Sequence, residues 1–269
     1  MYYTERSAPP PLDSVIRCFW FMRGEYTHGS VQPVVADGRC EVVLHLADPF
    51  LRCSPDGSTE LQPRTLVAGQ MTAPLQLQPT GIIDIIGIRF RTAAAPALLG
   101  VPIVELTDRV VALADCDRSL AVSLTAAAES SADIDARVAA LSAVIGRAWR
   151  SRLDPLALAA VRALNDRGAP TVSEVAQHLG VTLRTLERRV GLATGLAPAP
   201  LRRVLRFRRT FAMLDRAGSG WARVAATCGY YDQAHLIREF RRFAGVAPQQ
   251  FFGGRSEMAC FFMGYDQDA

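Results

Sequence analysis

Two stretches of the chain, VAQHLGVTLRTLERRVGLATGLAP (Val175–Pro198) and VAATCGYYDQAHLIREFRRFAGVAP (Val224–Pro248), follow one pattern. Each opens on Val-Ala, places a glycine four residues after that alanine, and closes on Gly-x-x-Pro. Between the glycine and the closing motif, a leucine and an arginine stand two residues apart in both stretches. The repetition predicts two copies of one short helical unit.

Each copy has the layout of a helix-turn-helix unit. An alanine stands where two helices would cross closely, a glycine stands at the sharp turn, and apolar residues of the next helix face inward. A further helix is predicted before the first copy, from Pro155 to about Arg167, with Asp154 as its N-cap and Gly168 as its C-cap. The structural positions of the two units are Ala176, Gly180, Leu183, Leu186, Val190, Ala193, Ala225, Gly229, Leu236, Phe240 and Phe243.

The segment between the copies, PLRRVLRFRRTFAMLDRAG, carries an apolar stripe. Val204, Phe207, Phe211 and Leu214 recur at helical spacing. This stripe predicts one connecting helix that fixes one unit against the other. Two units on a rigid connector can place two helices in successive major-groove segments on one face of DNA.

Positive charge is concentrated in the same part of the chain. All 30 basic residues are arginines, and the formal net charge is +4. Residues 154–255 contain 16 arginines and 7 acids, which is a net charge of +9. Residues 1–153 carry −2, and residues 256–269 carry −3. This distribution predicts a polyanionic partner for the second half only.

The first half reads as β structure from about residue 15 to residue 112. Strand-length apolar or alternating runs cover Cys40–Leu46, Leu75–Gly81 and Ile82–Arg91, and a short helix is predicted over Ala93–Leu99. Several short strands with one compact helix predict a small β-barrel or sandwich. The fold class is therefore α+β, with an N-terminal β-barrel or sandwich domain plus helices and a C-terminal all-α domain with two helix-turn-helix units.

A helical section follows the strands. Ile134, Val138, Leu141, Ile145 and Trp149 form one apolar stripe along a helix. Two interpretations of this stripe stay open. It packs on the β domain, or it forms part of a dimer interface.

The C-terminal hundred residues resemble the AraC/XylS family of bacterial transcription regulators. The resemblance covers roughly residues 154–252 and includes GYYDQAHLIREFRRFAGVAPQQF, with Gly229, Asp232, Arg238, Phe240 and Gly245 in place. The N-terminal half is similar to the divergent barrel-type sensory domains of some members. The resulting predicted organisation is a β-rich sensory domain (1–115), a helical linker or dimerisation region (116–153), an AraC-type DNA-binding domain (154–255) and a tail (256–269).

Helical geometry nominates the residues that contact DNA. Arginine can donate two hydrogen bonds to guanine, and glutamate can accept one from cytosine. Side chains nearer the flank of each helix are expected to contact phosphate instead. Ile237 stands where the family more usually has a polar residue, so it can touch a thymine methyl but cannot hydrogen-bond a base. The predicted base-reading residues are Arg184, Glu187, Arg188, Gln233 and Arg238, and the predicted phosphate contacts are Thr185, His235, Arg241 and Arg242.

The resemblance implies double-stranded DNA as the partner, often a homodimer, and in some members a small-molecule effector; RNA polymerase is a further candidate partner. We expect a regulator and no enzyme. The alternative is a DNA-processing or repair enzyme with a fused AraC-type DNA-binding module. The cysteines form no C-x-x-C pair, and there is no signal-peptide pattern or membrane-spanning apolar run, so we expect a reduced, cytoplasmic protein.

Catalytic and metal-binding patterns are weak. The four histidines (28, 45, 178 and 235) are far apart in the sequence. His45 lies in an apolar strand beside Glu41, where a core histidine is commoner than a metal ligand. No nucleophile elbow is present. We therefore expect no metal and no cofactor.

Overall fold

A computed structural model of the chain describes residues 1–25, 31–150, 152–166, 170–214 and 220–253. All the described strands lie within the first 112 residues, together with a few short helical turns, and the described elements after residue 112 are helices. The described strands are β1 (Tyr2–Arg6), β2 (Ile16–Glu25), β3 (Gln32–Val34), β4 (Glu41–His45), β5 (Leu51–Cys53), β6 (Thr59–Leu61), β7 (Thr65–Ala68), β8 (Leu75–Gln78), β9 (Ile82–Phe90) and β10 (Val110–Ala112). The described helices are α1 (Pro96–Leu99), α2 (Leu113–Glu129), α3 (Ile134–Ala148), α4 (Pro155–Leu164), α5 (Val172–His178), α6 (Leu183–Thr194), α7 (Pro198–Leu214), α8 (Trp221–Thr227), α9 (Gln233–Ala244) and α10 (Pro248–Gly253).

The strands make two sheets. One has the order β1-β2-β9-β4-β7-β10 and the other β3-β8-β5-β6, with antiparallel pairing throughout. The predicted strands at Cys40–Leu46, Leu75–Gly81 and Ile82–Arg91 correspond to β4, β8 and β9. This arrangement confirms the predicted α+β class with a barrel or sandwich at the N-terminus.

The larger sheet is buried on both faces, which explains why β9 is apolar at most of its positions, apart from Asp84 and Arg89. Ile83 and Ile85 pack between the two sheets with Trp20 and Phe50. On the other face, apolar residues of β2 and β9 pack under α1, α2 and α3. Gly87 pairs with Trp20, and a Cβ at Gly87 would lie 1.8 Å from the Trp20 ring. Bulky side chains therefore fill the space between the sheets.

The apolar stripe of α3 is buried against other parts of the same chain. Leu141 and Ile145 are fully buried, and Ile134, Val138 and Trp149 are partly buried against the same core as the large sheet. The structure thus supports packing on the β domain, and it removes the stripe as a reason to expect a dimer interface there.

Two predicted helix limits are wrong. The helix expected over Ala93–Leu99 begins at Pro96, because Ala93 takes a positive φ of 70° and proline fits the first turn of a helix. The helix from Pro155 ends at Leu164, with Asn165 as its C-cap, so it stops short of Arg167. The predicted cap Gly168 lies outside the described residues.

In the described part of the chain, no helix has the length and apolar character needed to cross a bilayer.

Candidate DNA-binding surface

The first helix-turn-helix unit consists of α5 and α6, with α4 packed against both. Thr171 and Glu174 form a capping box at the start of α5, where each side chain accepts a hydrogen bond from the backbone N–H of the other. The Thr182 hydroxyl accepts from the backbone N–H of Thr185 at 3.2 Å and caps α6. Local hydrogen bonds therefore fix where both helices begin.

The second unit consists of α8 and α9, and its turn is one residue longer. Gly180 and Gly229 take positive φ values of 65° and 75° at the two turns, a conformation that glycine adopts without strain. The cap of α6, Thr182, follows its glycine by two residues, whereas the cap of α9, Asp232, follows by three. The longer turn contains Tyr231, whose side chain is 93% exposed beside the start of α9. The two sequence patterns already contained this difference in spacing.

Most of the side chains predicted to face inward are buried in the cores of the two units. Leu183 is the exception: it was expected to face inward but is 45% exposed, because it is the first residue of α6 and lies beyond the contact with α4. The inward-facing residues that the structure buries are Ala176, Leu186, Val190, Ala193, Ala225, Leu236, Phe240 and Phe243.

On α6, the polar residues predicted to read bases share the open face. Arg184, Glu187 and Arg188 are all exposed, and the helix buries the opposite side through Leu186 and Val190. Among the described residues, these three side chains make no hydrogen bond or ion pair. Their donors and acceptors are thus available to a ligand in the groove.

The open face of α9 is less polar. Gln233, Ala234 and Arg238 are exposed, whereas Ile237 is half-buried. Ile237 packs against the small core formed by α8 and Tyr230. Only the outer edge of the Ile237 side chain is therefore open to a ligand.

The residues predicted to contact phosphate fall into two groups. Arg241 and Arg242 are exposed, and the Arg242 guanidinium carbon lies 5.9 Å from the centroid of the Phe243 ring. Thr185 and His235 are half-buried near the starts of α6 and α9: the Thr185 hydroxyl lies 3.0 Å from that of Thr182, and His235 Nδ1 accepts a hydrogen bond from the backbone N–H of Tyr231. Arg241 and Arg242 can therefore extend into solvent, while Thr185 and His235 make hydrogen bonds that stabilise the starts of α6 and α9.

Sequence reasoning missed a set of arginines on α7 that brace both units. The Arg203 guanidinium makes two hydrogen bonds to the Glu239 carboxylate of α9, at 2.9 and 2.5 Å. Arg206 lies 3.6 Å from the same carboxylate and 4.4 Å from the centre of the Tyr230 ring. Towards the first unit, Arg202 donates to the carbonyl of Pro170 at 2.6 Å.

These contacts keep Glu239 in its charged form. Although burial raises the pKa of Glu239, its hydrogen bonds with Arg203 hold that pKa below the ordinary 4.5. The acid is thus ionised, and its ion pairs hold Arg203 and Arg206 against α9.

The N-terminal domain covers the far end of the DNA-binding domain. The Thr107 hydroxyl donates to the carbonyl of Gly195, the C-cap of α6, at 2.7 Å. The backbone N–H of Ala36 donates to the carbonyl of Phe243 in α9 at 3.1 Å. Gly38 lies so close to α7 that a Cβ there would be 2.7 Å from Val204. The N-terminal domain therefore contacts the C-terminal ends of α6 and α9, and it also contacts the connecting helix α7.

His45 is buried in the β domain and has no metal-binding neighbourhood. Its ring lies 5.5 Å from that of Phe50, and burial lowers its pKa to about 4. Within the residues that the structure describes, no cluster of three or more His, Cys, Asp or Glu side chains could hold a metal ion.

Comparisons with known proteins agree with this geometry. A family model described as a helix-turn-helix domain matches residues 175–253, and one described as a domain of unknown function (DUF6597) matches residues 4–112. The HTH-type transcriptional activator RhaS of Escherichia fergusonii is 32% identical over 94 residues, 34% of each chain. The HTH-type transcriptional regulator ArgR of Pseudomonas aeruginosa is 30% identical over 80 residues, 30% of this chain and 24% of its own. The matched part of the chain thus spans 34% and 24% of the length of these two curated relatives.

Solved structures extend the likeness to both domains. The apo form of a ToxT variant from Vibrio cholerae has a TM-score of 0.51 at 10% identity, over 87% of this chain and 97% of its own. ToxT bound to (E)-4-(8-methylnaphthalen-1-yl)but-3-enoic acid has the same TM-score and identity, over 91% and 99%. At this identity the likeness concerns the fold. The matched model identifies residues 175–253 as a helix-turn-helix domain, and this part of the chain is similar to the two transcription regulators.

Proposed function

We propose that this protein is a sequence-specific DNA-binding transcription regulator that places α6 and α9 in successive segments of the major groove. The observation that carries the proposal is the pair of open helix faces, each with side chains that can bind base edges, braced on one connector. A helix of 17 residues such as α7 is about 25 Å long. That length is compatible with two helices reaching neighbouring groove segments, whose spacing is about 34 Å per turn.

Base reading is proposed for Arg184, Glu187, Arg188, Gln233 and Arg238, and phosphate contact for Arg241 and Arg242. The exposure of these side chains supports the assignment. Thr185 and His235 are proposed to contact phosphate from the first turns of α6 and α9, through the Thr185 hydroxyl and His235 Nε2. A homodimer and an interaction with RNA polymerase stay predictions of the family resemblance.

A small-molecule effector is part of the proposal. ToxT, which shares the two-domain fold, has been solved with an unsaturated fatty acid and with an arylbutenoic acid bound. The N-terminal domain of this chain touches both helix-turn-helix units, so a ligand that alters the contact between domains has a direct route to the DNA-binding surface.

The experiment selects genomic fragments bound by the full chain and then measures the affinity for one fragment against salt concentration. Each phosphate that an arginine neutralises contributes about −0.9 to the slope of log K against log salt, so we expect a slope steeper than about −3. Selected fragments are expected to bind at least about 1,000-fold tighter than random DNA. Equal affinity for selected and random DNA, or a flat salt dependence, would reject the proposal.

A further inference from the structure

A cleft of about 560 Å³ lies between α3 and the segment of chain that leads into β2. Its volume is in the range of small-molecule sites, which run from about 300 to 1,000 Å³. Residues from Pro9 to Val15 form one wall, and α3 with Trp149 forms the other. Leu153, which precedes the N-cap of α4, also lines the cleft. A ligand held here would thus contact the residue at which the DNA-binding domain begins.

The wall opposite α3 is held in place without a ligand. It contains three consecutive prolines, Pro9–Pro11, and each proline ring fixes the backbone φ. The Ser14 hydroxyl donates to the carbonyl of Pro11 at 2.8 Å, and Arg91 Nε donates to the carbonyl of Asp13 at 2.6 Å. Since Arg91 directly follows β9, the wall is anchored to the large sheet, and binding would cost little ordering of the chain.

On the other wall, Gly146 keeps the cleft open. It is exposed in the interior of α3, where glycine is less favourable than alanine. A Cβ at Gly146 would have no described atom within 4 Å, so close packing does not require a glycine here. The missing side chain leaves room in the cleft at a cost to the helix.

Ser142 places an unpaired hydroxyl on the same wall. Its side chain is buried, with 8% of the residue exposed, and Oγ has no hydrogen-bond partner among the described residues. A serine inside a helix often bonds to the carbonyl four residues earlier, but the Ser142 hydroxyl makes no such bond to Val138. A buried hydroxyl without a partner is unfavourable. Because Ser142 lines the cleft, a ligand seated there can supply the missing partner.

We propose that this cleft binds a small, uncharged aromatic molecule that carries one hydrogen-bonding oxygen. The described residues that line it include no charged side chain, so a charged ligand would lose its hydration without gaining a counter-charge. Trp149 and the prolines offer apolar surface to an aromatic ring, and the Ser142 hydroxyl can donate to or accept from one oxygen. The proposal deepens the effector part of the function proposed above and rests on it for the role of the ligand.

The test is equilibrium dialysis of the full chain without DNA, so its failure is distinguishable from a failure of DNA binding. The probe is 1-tetralone, a neutral bicyclic ketone, and we expect a Kd of about 1 mM or below. Tetralin has the same rings without the oxygen, and 2-naphthoate has a similar size with a negative charge. The naphthoate should bind at least about tenfold more weakly than tetralone, because the cleft offers it no counter-charge.

Ser142→Ala separates the hydrogen bond from the shape of the cleft. It should weaken tetralone binding by about tenfold and leave tetralin binding unchanged, since only the ketone uses the hydroxyl. The variant should unfold at the wild-type temperature or above it, because it removes an unpaired buried hydroxyl. A loss of tetralone binding would therefore not come from a loss of folding.

Gly146→Leu fills the cleft from the α3 side and should abolish binding of both tetralone and tetralin. Leucine is a better helix former than glycine, so this variant should also stay folded. The matched control is Ala136→Leu, at an exposed position of α3 outside the cleft, which should leave both affinities unchanged.

The site is rejected if tetralone shows no saturable binding at about 2 mM, or if Gly146→Leu leaves its binding intact. It is also rejected if naphthoate binds as tightly as tetralone, or if Ser142→Ala weakens tetralin as much as tetralone. A second copy of the chain covering the cleft would make the tetralone affinity fall as the protein concentration rises, and that result would overturn the proposal.

Discussion

Arg188 and Arg242 carry the same charge at exposed positions, but they lie on different parts of their helices. Arg188 projects from the open face of α6 beside Arg184 and Glu187, whereas Arg242 lies in the last turn of α9 over the Phe243 ring. A side chain that pairs with a base discriminates by about 1–3 kcal/mol, while a phosphate contact lowers the affinity for every sequence alike. The two arginines should therefore differ in what their loss does to specificity.

Arg188→Ala is expected to relax base preference over part of the site, and Arg242→Ala to weaken all sequences equally. Arg238→Ala should fall between, with its effect confined to one or two base pairs, because Ile237 beside it offers no hydrogen bond. The measurement is binding of each variant to a panel of singly substituted DNA sites. An unchanged preference profile for Arg188→Ala, together with an altered one for Arg242→Ala, would reverse the assignment of the two faces.

Burial of individual residues was predictable from the sequence wherever a residue lay in the middle of a periodic pattern. Leu186, Val190 and Phe240 belong to such patterns and are fully buried. Leu183 continues the same pattern at the end of the helix, where no neighbouring element covers it. Periodicity defines a face but not how far the neighbouring helices extend along it.

Among the elements, α7 carries both a stripe of phenylalanines and the arginines that hold α9. The Phe207 ring lies 5.2 Å from that of Phe240, so the apolar and ionic contacts fix the same pair of helices. The phenylalanine stripe was visible in the sequence. The pairing of Arg203 with Glu239 was not, because it depends on how two helices far apart in sequence are rotated against each other.

Glu239→Gln should destabilise the chain by about 1–3 kcal/mol, since it leaves Arg203 and Arg206 without their ionised partner. The pKa of Glu239 is lowered in the folded state, so its contribution is present above the ordinary pKa of 4.5 and is lost as the pH falls below that value. As the pH is lowered from about 5 to about 3, the free energy of unfolding of the wild type should therefore fall more steeply than that of the variant.

Urea unfolding followed by circular dichroism at several pH values measures both effects. Glu129→Gln is the control, because Glu129 is exposed at the end of α2 and should be neutral. If the two substitutions gave equal losses, the ionic brace would contribute nothing to stability.

Across the whole molecule, the least predictable feature was the contact between the domains. Val35, Ala36 and Met71 belong to the N-terminal domain but pack into the core of the DNA-binding domain. They lie in loops between strands, where the sequence has no periodic pattern that would indicate a buried face. Both domains could be identified separately from their own patterns, whereas their docking depends on the complementarity of two irregular surfaces.

Gly38→Ala tests this docking, and Gly57→Ala is its matched control. Both glycines have a positive φ, 83° and 84°, so alanine costs about 1 kcal/mol of backbone strain at either position. Only at Gly38 would the new Cβ meet a neighbour, the stiff Val204 side chain of α7 at 2.7 Å; at Gly57 nothing lies within 4 Å. We expect Gly38→Ala to cost a further 1–3 kcal/mol or so through overpacking.

Thermal unfolding of the full chain compares the two variants. Faster proteolysis of the connecting segment in Gly38→Ala than in Gly57→Ala would show that the extra cost falls on the contact between domains. Equal stability of the two variants would mean that the loop at Gly38 moves away from α7 without loss.

The hydrogen bonds from Thr107 to Gly195 and from Ala36 to Phe243 have a consequence for how such a protein can be recombined. Their acceptors are backbone carbonyls at the C-terminal ends of α6 and α9, so the N-terminal domain fixes the distance between those two ends. A chimera that grafts a foreign N-terminal half onto residues 154–253 would inherit the side chains proposed to contact DNA but would lack these two hydrogen bonds. Such hybrids should keep recognition of each half of the site but tolerate altered spacing between the halves, so the two halves of this chain are expected to evolve as a pair.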